Sequence, residues 1–167
     1  MKKILMLTLA LLLGGCILQS ETPNFVEADG GPLLGKTGGT YQSYELNNGK
    51  WTTDGADIKL VAVGKHYELI DKNKETQILF VQLDGPWWVA QFSEEDKAYA
   101  YSFMEVDAAE IYFHPLACDL IKRNAAAKPI VTFVKDDCFL KPHTPPEEMM
   151  GMIADVGEHK LKLVLKK

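Results

Sequence analysis

Residues 97–106 read KAYAYSFMEV and carry the clearest pattern in the chain, an alternation with a period of two. Successive side chains of an extended strand point to opposite faces. One face of this segment therefore carries the aromatic residues Tyr99, Tyr101 and Phe103, and the other carries smaller or flexible side chains. The segment predicts a β-strand, and it is the firmest single indication of the fold.

The segments on either side also alternate or are rich in strand-forming residues, and they follow one another at short and even intervals along the chain. Asn47-Asn48-Gly49 and Asp84-Gly85 supply residues that accept the positive φ of tight hairpin turns. Such closely spaced strands are typical of an antiparallel meander that closes into a barrel or folds into a sandwich. The predicted strands cover residues 40–46, 50–53, 57–63, 66–71, 76–83, 86–93, 97–106, 109–114, 129–134 and 160–165.

Short helices are expected only in the C-terminal third, so the predicted class is mainly β with an α+β character. Thr144-Pro145-Pro146-Glu147 has the order of an N-cap, a first-turn proline and a glutamate at the third helical position. Apolar residues then recur at helical spacing until Gly157, which favours a helix end. A second and weaker helix is predicted between Pro115 and Ala126.

The first sixteen residues, MKKILMLTLALLLGGC, have the parts of an export signal. Two lysines precede an apolar run over residues 4–13, which is too short to span a bilayer because a spanning helix needs roughly 20 residues. The next residues, Leu13-Gly14-Gly15-Cys16, resemble the lipobox of bacterial membrane lipoproteins. The resemblance implies removal of residues 1–15, attachment of a diacylglyceryl group to the Cys16 thiol, and acylation of the new amine.

Position 17 sets the expected destination of such a protein. It is Ile17 rather than the aspartate that, in enteric lipoproteins, retains the protein at the inner membrane. By this analogy we expect the periplasmic face of the outer membrane. Residues 16–39 are rich in glycine and proline and are predicted to form a flexible lipidated tether. Residues 40–167 would then form a single β-rich periplasmic domain.

Charge and length restrict the partners of this domain. After removal of Lys2 and Lys3 with the signal, 16 basic and 23 acidic residues remain, a net charge of −7, and Arg123 is the single arginine. Nucleic-acid binding is excluded as a function, because it requires clustered basic residues to neutralise phosphates. The 152 residues of the mature chain suffice for one domain, and we expect a monomer.

Two cysteines remain once Cys16 is acylated, Cys118 and Cys138. In an oxidising compartment such an even pair is expected to form a disulfide. The alternative is a zinc site made of His114, Cys118, Cys138 and His143, since two cysteines and two histidines in paired spacing suit tetrahedral zinc. A Cys-His nucleophile pair in a hydrolase is a third interpretation of the same residues.

Aromatic residues are dense in the central strands and form the candidate binding residues: Trp87, Trp88, Tyr99 and Tyr101. Alternation places Trp87 and Trp88 on opposite faces of their strand, so either a second layer covers one of them or one faces a partner. The sequence contains no Gly-x-Ser-x-Gly, His-Glu-x-x-His, P-loop or dinucleotide motif, and we expect a binding protein without a cofactor rather than an enzyme.

The sequence therefore predicts a lipid-anchored protein of the cell envelope that acts as a protein-binding module. A lipocalin-like barrel that carries a small apolar ligand is the alternative, on analogy of fold. A second alternative is a zinc-binding protein or a hydrolase that uses the cysteine and histidine residues named above.

Overall fold

The computed structural model describes residues 17–33, 38–53, 57–71, 74–93, 98–107, 109–155 and 161–166. Residues 1–15 and Cys16, with the predicted signal and acylation site, lie outside the described residues. Within the described ranges the strands are β1 (Leu18–Ser20), β2 (Gly38–Asn47), β3 (Lys50–Thr52), β4 (Asp57–Val63), β5 (His66–Asp71), β6 (Lys74–Gln82), β7 (Trp87–Ser93), β8 (Tyr99–Val106), β9 (Glu110–Pro115), β10 (Val131–Val134), β11 (Asp137–Leu140) and β12 (Leu161–Leu165). The helices are α1 (Cys118–Ile121) and α2 (Pro146–Met149), with 3-10 turns at Glu27–Asp29 and Met150–Asp155.

Eight of the described strands close into an antiparallel barrel in the order β2-β4-β5-β6-β7-β8-β9-β12 and back to β2. The predicted mainly β fold is confirmed, and of the two predicted arrangements the chain adopts the barrel. Closure depends on β8, which pairs with β7 along one edge and with β9 along the other. The Asn48-Gly49 turn between β2 and β3 has φ values of 51° and 72°, as its sequence predicts.

The barrel interior holds the first of two cores. Every second residue of the barrel strands points inward, and these side chains pack as one apolar cluster. Trp88 is one of them and is 5 % exposed, while Phe80 is fully buried and its ring lies 5.1 Å from that of Tyr67. The other members are Leu33, Tyr41, Ile58, Leu60, Leu69, Ile78, Ala90, Phe92, Ala100, Met104, Val106, Ile111, Phe113, Leu161 and Leu163.

The second core lies outside the barrel, between the outer faces of β6–β8 and the C-terminal segment. Tyr101 and Phe103 of β8 point into it and are 1 % and 0 % exposed. Residues from α1, from β10 and β11 and from α2 cover them, and Cys118 and Cys138 form a disulfide within this core with their Cα atoms 5.5 Å apart. Strand β8 is therefore buried on both faces.

The edge of β8 that β9 leaves unpaired carries a small additional sheet. There β1 pairs with β8 in antiparallel fashion and with β11 in parallel fashion, and β11 pairs with β10. Neither β1 nor β11 is predicted from the sequence, since residues 18–20 fall within the predicted tether and residues 137–140 lie between the strand predicted at 129–134 and the predicted C-terminal helix.

The tether predicted for residues 16–39 is wrong for residues 17–33, which are bound into the fold. Leu18 is fully buried in β1, and Phe25 and Leu33 are each 2 % exposed. Gly30 lies so close to the barrel that a Cβ there would be 2.4 Å from the Leu79 side chain and 2.8 Å from the Lys65 carbonyl. Gly30 thus permits close approach to β6 and to the turn between β4 and β5.

The predicted helices are present but short. The helix expected from Thr144 begins one residue later than predicted, with Pro145 as its N-cap, and becomes a 3-10 turn at Met150. The predicted end at Gly157 lies outside the described residues. The weaker helix predicted for residues 115–126 has four residues, Cys118–Ile121. In the parts of the chain described, no helix has the length and apolar character needed to cross a membrane.

Candidate functional site

The four predicted binding residues do not form one surface. Trp88 lies in the barrel interior and Tyr101 in the second core, and both are buried. Trp87 and Tyr99 are half-buried on the outer side of the barrel, at opposite ends of neighbouring strands. The barrel interior therefore buries Trp88, the second core buries Tyr101, and Trp87 is the partly exposed member of the tryptophan pair.

Tyr101 has a structural role that its burial explains. Its Oη lies 2.7 Å from Ser20 Oγ, donates to Gln91 Oε1 at 3.2 Å and accepts from the backbone N–H of Asn24 at 3.1 Å. Burial raises the pKa of the Tyr101 phenol, and the hydrogen bonds with Ser20 and with the Asn24 N–H oppose the shift. Gln91 also accepts from the N–H of Phe25 at 2.9 Å and donates to the Phe25 carbonyl at 3.0 Å. The network fixes residues 20–25 onto β7 and β8.

The disulfide contradicts the zinc and hydrolase alternatives. Both require a cysteine thiolate, and the bond between Cys118 and Cys138 removes it. His114 is buried beside Trp87, their rings 5.2 Å apart, whereas His143 is exposed. No group of three or more histidine, cysteine or acidic residues is placed to hold a metal ion within the described ranges.

A row of half-buried side chains crosses the outer face of the barrel from β7 to β2. The strand register places its members directly opposite one another: Trp87 opposite Glu105, Glu105 opposite Tyr112, Tyr112 opposite Lys162, and Lys162 opposite Tyr44. Trp51 of β3 joins the row, its ring 6.3 Å from that of Tyr112. These six residues are called the aromatic row below.

Lys162 is the centre of the aromatic row. Its Nζ lies 5.0 Å from the ring centroid of Trp51 and 5.7 Å from those of Tyr44 and Tyr112. It also forms an ion pair with Glu110 at 3.1 Å, and its side chain is 16 % exposed. Each cation–π contact of this kind contributes about 0.5–1 kcal/mol at a partly exposed site. The lysine thus holds three aromatic rings in fixed positions on the surface.

A hydrogen bond between Glu110 and Tyr112 shifts the pKa values of both groups. The Tyr112 hydroxyl donates a hydrogen bond to Glu110 Oε2. This bond raises the pKa of Tyr112 to about 12, with burial and nearby carboxylates adding to the effect. The same bond and the Lys162 ammonium lower the pKa of Glu110. At neutral pH Tyr112 is therefore a neutral phenol held in place by its hydrogen bond to the Glu110 carboxylate.

Sequence analysis finds Trp87 but not the rest of the aromatic row. Tyr44 and Trp51 lie on the two strands of one hairpin, but Tyr112 and Lys162 lie on β9 and β12, which are distant from that hairpin in sequence. The three regions meet only because the barrel closes through β9 and β12. The sequence carries only a weak indication of the aromatic row, which is that Tyr44 and Lys162 each occupy an outward-facing position in a segment that alternates between apolar and polar residues. The pairing of those segments is what the sequence does not supply.

A small cavity lies beside the second core, lined in part by Leu116, Leu120 and Met152. Its volume of about 10 Å³ is close to the minimum that a single water molecule requires. It is therefore too small for an organic ligand. Comparisons with protein-family models, with curated proteins and with solved structures find no match to this chain.

Proposed function

We propose that this chain is a lipid-anchored protein of the bacterial cell envelope, acylated at Cys16, that binds another envelope protein through the aromatic row. The lipobox-like segment Leu13-Gly14-Gly15-Cys16 supports the anchor, and Ile17 supports the periplasmic face of the outer membrane as its location. The single observation that carries the binding function is the alignment of three aromatic rings around Lys162 on the outer face of the barrel.

The aromatic row has properties that protein-binding surfaces share. Tryptophan and tyrosine dominate the binding energy of many interfaces, because they bury a large area at a small cost in side-chain entropy. Here the strands fix the backbone, and the contacts with Lys162 and Glu110 fix the rings before a partner arrives. Such preorganisation lowers the entropic cost of association.

A carrier of a small apolar ligand is the alternative, because a closed β-barrel is also compatible with that role. A carrier needs interior space, whereas the described interior positions are filled by one packed apolar cluster. Tyr41, Phe80, Phe113 and Met104 are each at most 2 % exposed within it. The aromatic row on the outer face is therefore better supported as the binding site than the barrel interior is.

The binding proposal is tested by placing a photo-crosslinking amino acid at position 51 of the full chain in its native envelope. We expect a discrete crosslinked product with one envelope protein. The matched control carries the same amino acid at position 63, because Val63 is an exposed apolar residue on the outer side of β4, outside the aromatic row. Equal crosslinking from both positions, or none from position 51, would contradict the proposal.

A second variant separates loss of binding from loss of folding. Trp51→Ala in the partner-bound protein should abolish co-purification of the crosslinked partner, while Val63→Ala should leave it unchanged. Far-ultraviolet circular dichroism checks that each variant keeps the barrel. Unchanged recovery of the partner by a folded Trp51→Ala variant would count against the aromatic row.

A further inference from the structure

Residue 17 already belongs to the folded domain, and this restricts where a lipid on residue 16 can be. The backbone of Ile17 forms an antiparallel bridge with Ala117, and the N–H of Leu18 donates to the carbonyl of Leu116 at 2.8 Å. Leu18 is fully buried. Because consecutive Cα atoms are about 3.8 Å apart, Cys16 is one peptide unit from this bridge. No spacer separates the proposed acylation site from the domain.

The residues around this bridge form one face of the molecule. The parallel register of Leu18 with Cys138 places the start of β1 beside the start of β11, and therefore beside the turn between β10 and β11. Lys122 Nζ donates to the carbonyl of Lys135 at 2.7 Å and so joins the end of α1 to this turn. The anchor face, as it is called below, consists of Ile17, Ala117, Asp119, Lys122, Arg123 and residues 134–137.

The chemistry of the anchor face suits the headgroup layer of a bilayer. Val134 is 51 % exposed beside the turn, so this face presents an apolar side chain to its surroundings. Lysine side chains near it can lay their methylene stems along a bilayer while the charged ends stay in water. The exposed charged residues of this face are Asp119, Lys122, Arg123, Lys135, Asp136 and Asp137.

The charge of the anchor face differs from that of the rest of the molecule. Its three basic and three acidic residues cancel, although the mature chain carries a net charge of −7. The excess negative charge therefore lies elsewhere on the surface. This distribution favours approach of the anchor face to an anionic membrane, since the remaining surface is repelled by it.

We propose that the anchor face rests on the bilayer surface, so that the barrel is held against the membrane in one orientation instead of standing off on a tether. This inference rests on the proposed acylation of Cys16. The turn between β10 and β11 lies within two strand spacings of Ile17, roughly 10 Å. The headgroup layer on each side of the hydrocarbon core is roughly 5–8 Å thick. A distance of roughly 10 Å therefore places the turn close enough to an acylated Cys16 for its side chains to reach that layer when the anchor face is turned towards the bilayer.

The test uses the acylated full chain in vesicles of phosphatidylethanolamine and phosphatidylglycerol that contain a nitroxide-labelled headgroup lipid. A fluorophore is attached to an introduced cysteine in Val134→Cys or, as the matched control, in Val63→Cys, another exposed valine. The native Cys118 and Cys138 are buried and bonded to each other and do not take the label. We expect quenching of the label at position 134 to be several-fold stronger than at position 63.

A linker variant sharpens the test. Inserting 12 glycine and serine residues between Cys16 and Ile17 adds a flexible spacer of about 20 Å. It should reduce quenching at position 134 to the level at position 63 while the protein still sediments with the vesicles. Equal quenching at both positions in the vesicle-bound protein without the linker would overturn the orientation alone. If intact mass shows no acyl chains and the protein does not sediment with vesicles, the anchor itself is wrong.

Discussion

The barrel interior and the second core contain the same kinds of apolar side chain but are held together differently. Long strands enclose the interior, and each is hydrogen-bonded to a neighbour on both sides around the closed circuit. The second core is enclosed by strands of three or four residues, two helices of four residues and a 3-10 turn. Such short elements satisfy few of their own backbone groups, and helices of that length are unstable alone.

The second core therefore depends on links that the barrel does not need. The disulfide joins α1 to β11, and the hydrogen bonds of Gln91 and Tyr101 join residues 20–25 to the barrel. The comparison indicates that the barrel supplies most of the stability, while the second layer is fastened to it by a few identifiable contacts. The following experiments separate the two regions.

The largest effect is expected from Phe80→Ala in the barrel interior. Phe80 is fully buried, and replacing a buried phenylalanine by alanine lowers the free energy of unfolding by about 3–5 kcal/mol. Urea titration followed by circular dichroism measures the loss. The control Val134→Ala, at an exposed position, should change the free energy of unfolding by less than about 0.5 kcal/mol. A similar loss for both variants would contradict the assignment of the interior as the main core.

The next effect is expected from the double variant Cys118→Ala/Cys138→Ala. Removing a bond that closes a loop of about 20 residues should lower the free energy of unfolding by about 3 kcal/mol. Hydrogen exchange should show loss of protection in residues 116–155, because the segments that cover the second core open before the barrel does. Amides of β4 and β5 should keep their protection. If protection falls equally in the barrel, the two regions unfold as one unit and the comparison is wrong.

A smaller effect is expected from Gln91→Leu, which removes the acceptor for the N–H groups of Asn24 and Phe25. Leaving buried donors without an acceptor costs about 1–3 kcal/mol. Protection against hydrogen exchange should fall in residues 17–33 and remain elsewhere. The matched control is Gln77→Leu, an exposed glutamine on the outer side of the neighbouring strand. Loss of protection in the control as well would remove the special role of Gln91.

The smallest effect on stability, and the sharpest on a pKa, is expected from Glu110→Gln. Loss of the carboxylate should lower the pKa of Tyr112 from about 12 towards its ordinary value of 10, which a spectroscopic titration of the phenols measures. Glu75→Gln, a change at an exposed carboxylate on β6, should leave this titration unchanged. A Tyr112 pKa that stays near 12 in Glu110→Gln would contradict the hydrogen bond.

The same pair gives a pH dependence with a definite sign. Because the pKa of Tyr112 is higher in the folded state, its contribution to stability is complete below pH 10 and disappears as the pH rises towards about 12. The pKa of Glu110 is lowered by folding, so its contribution is present above its unfolded pKa and is lost as the pH falls through the folded value. Both contributions are below about 1 kcal/mol, because the pair is partly exposed.

Sequence analysis succeeded where one local pattern determines the structure. Alternation located the long barrel strands, and the Asn48-Gly49 turn and the bond between Cys118 and Cys138 are found as predicted. It failed for residues 17–33, where the glycine and proline content predicts a flexible tether and the structure has a packed segment. Composition does not distinguish a loose segment from one that is packed closely against a sheet, as Gly30 is against Leu79.

The sequence by itself determined the barrel strands, their turns and the cysteine pair, because each depends on residues that are near in the chain or on a chemistry with few alternatives. The tertiary structure decided that the sheet closes as a barrel, that Trp88 and Tyr101 are buried while Trp87 stays partly exposed, and that Lys162 lies among three rings. These outcomes depend on the pairing of distant strands. That pairing is set by the packing of the whole molecule, and no local pattern encodes it.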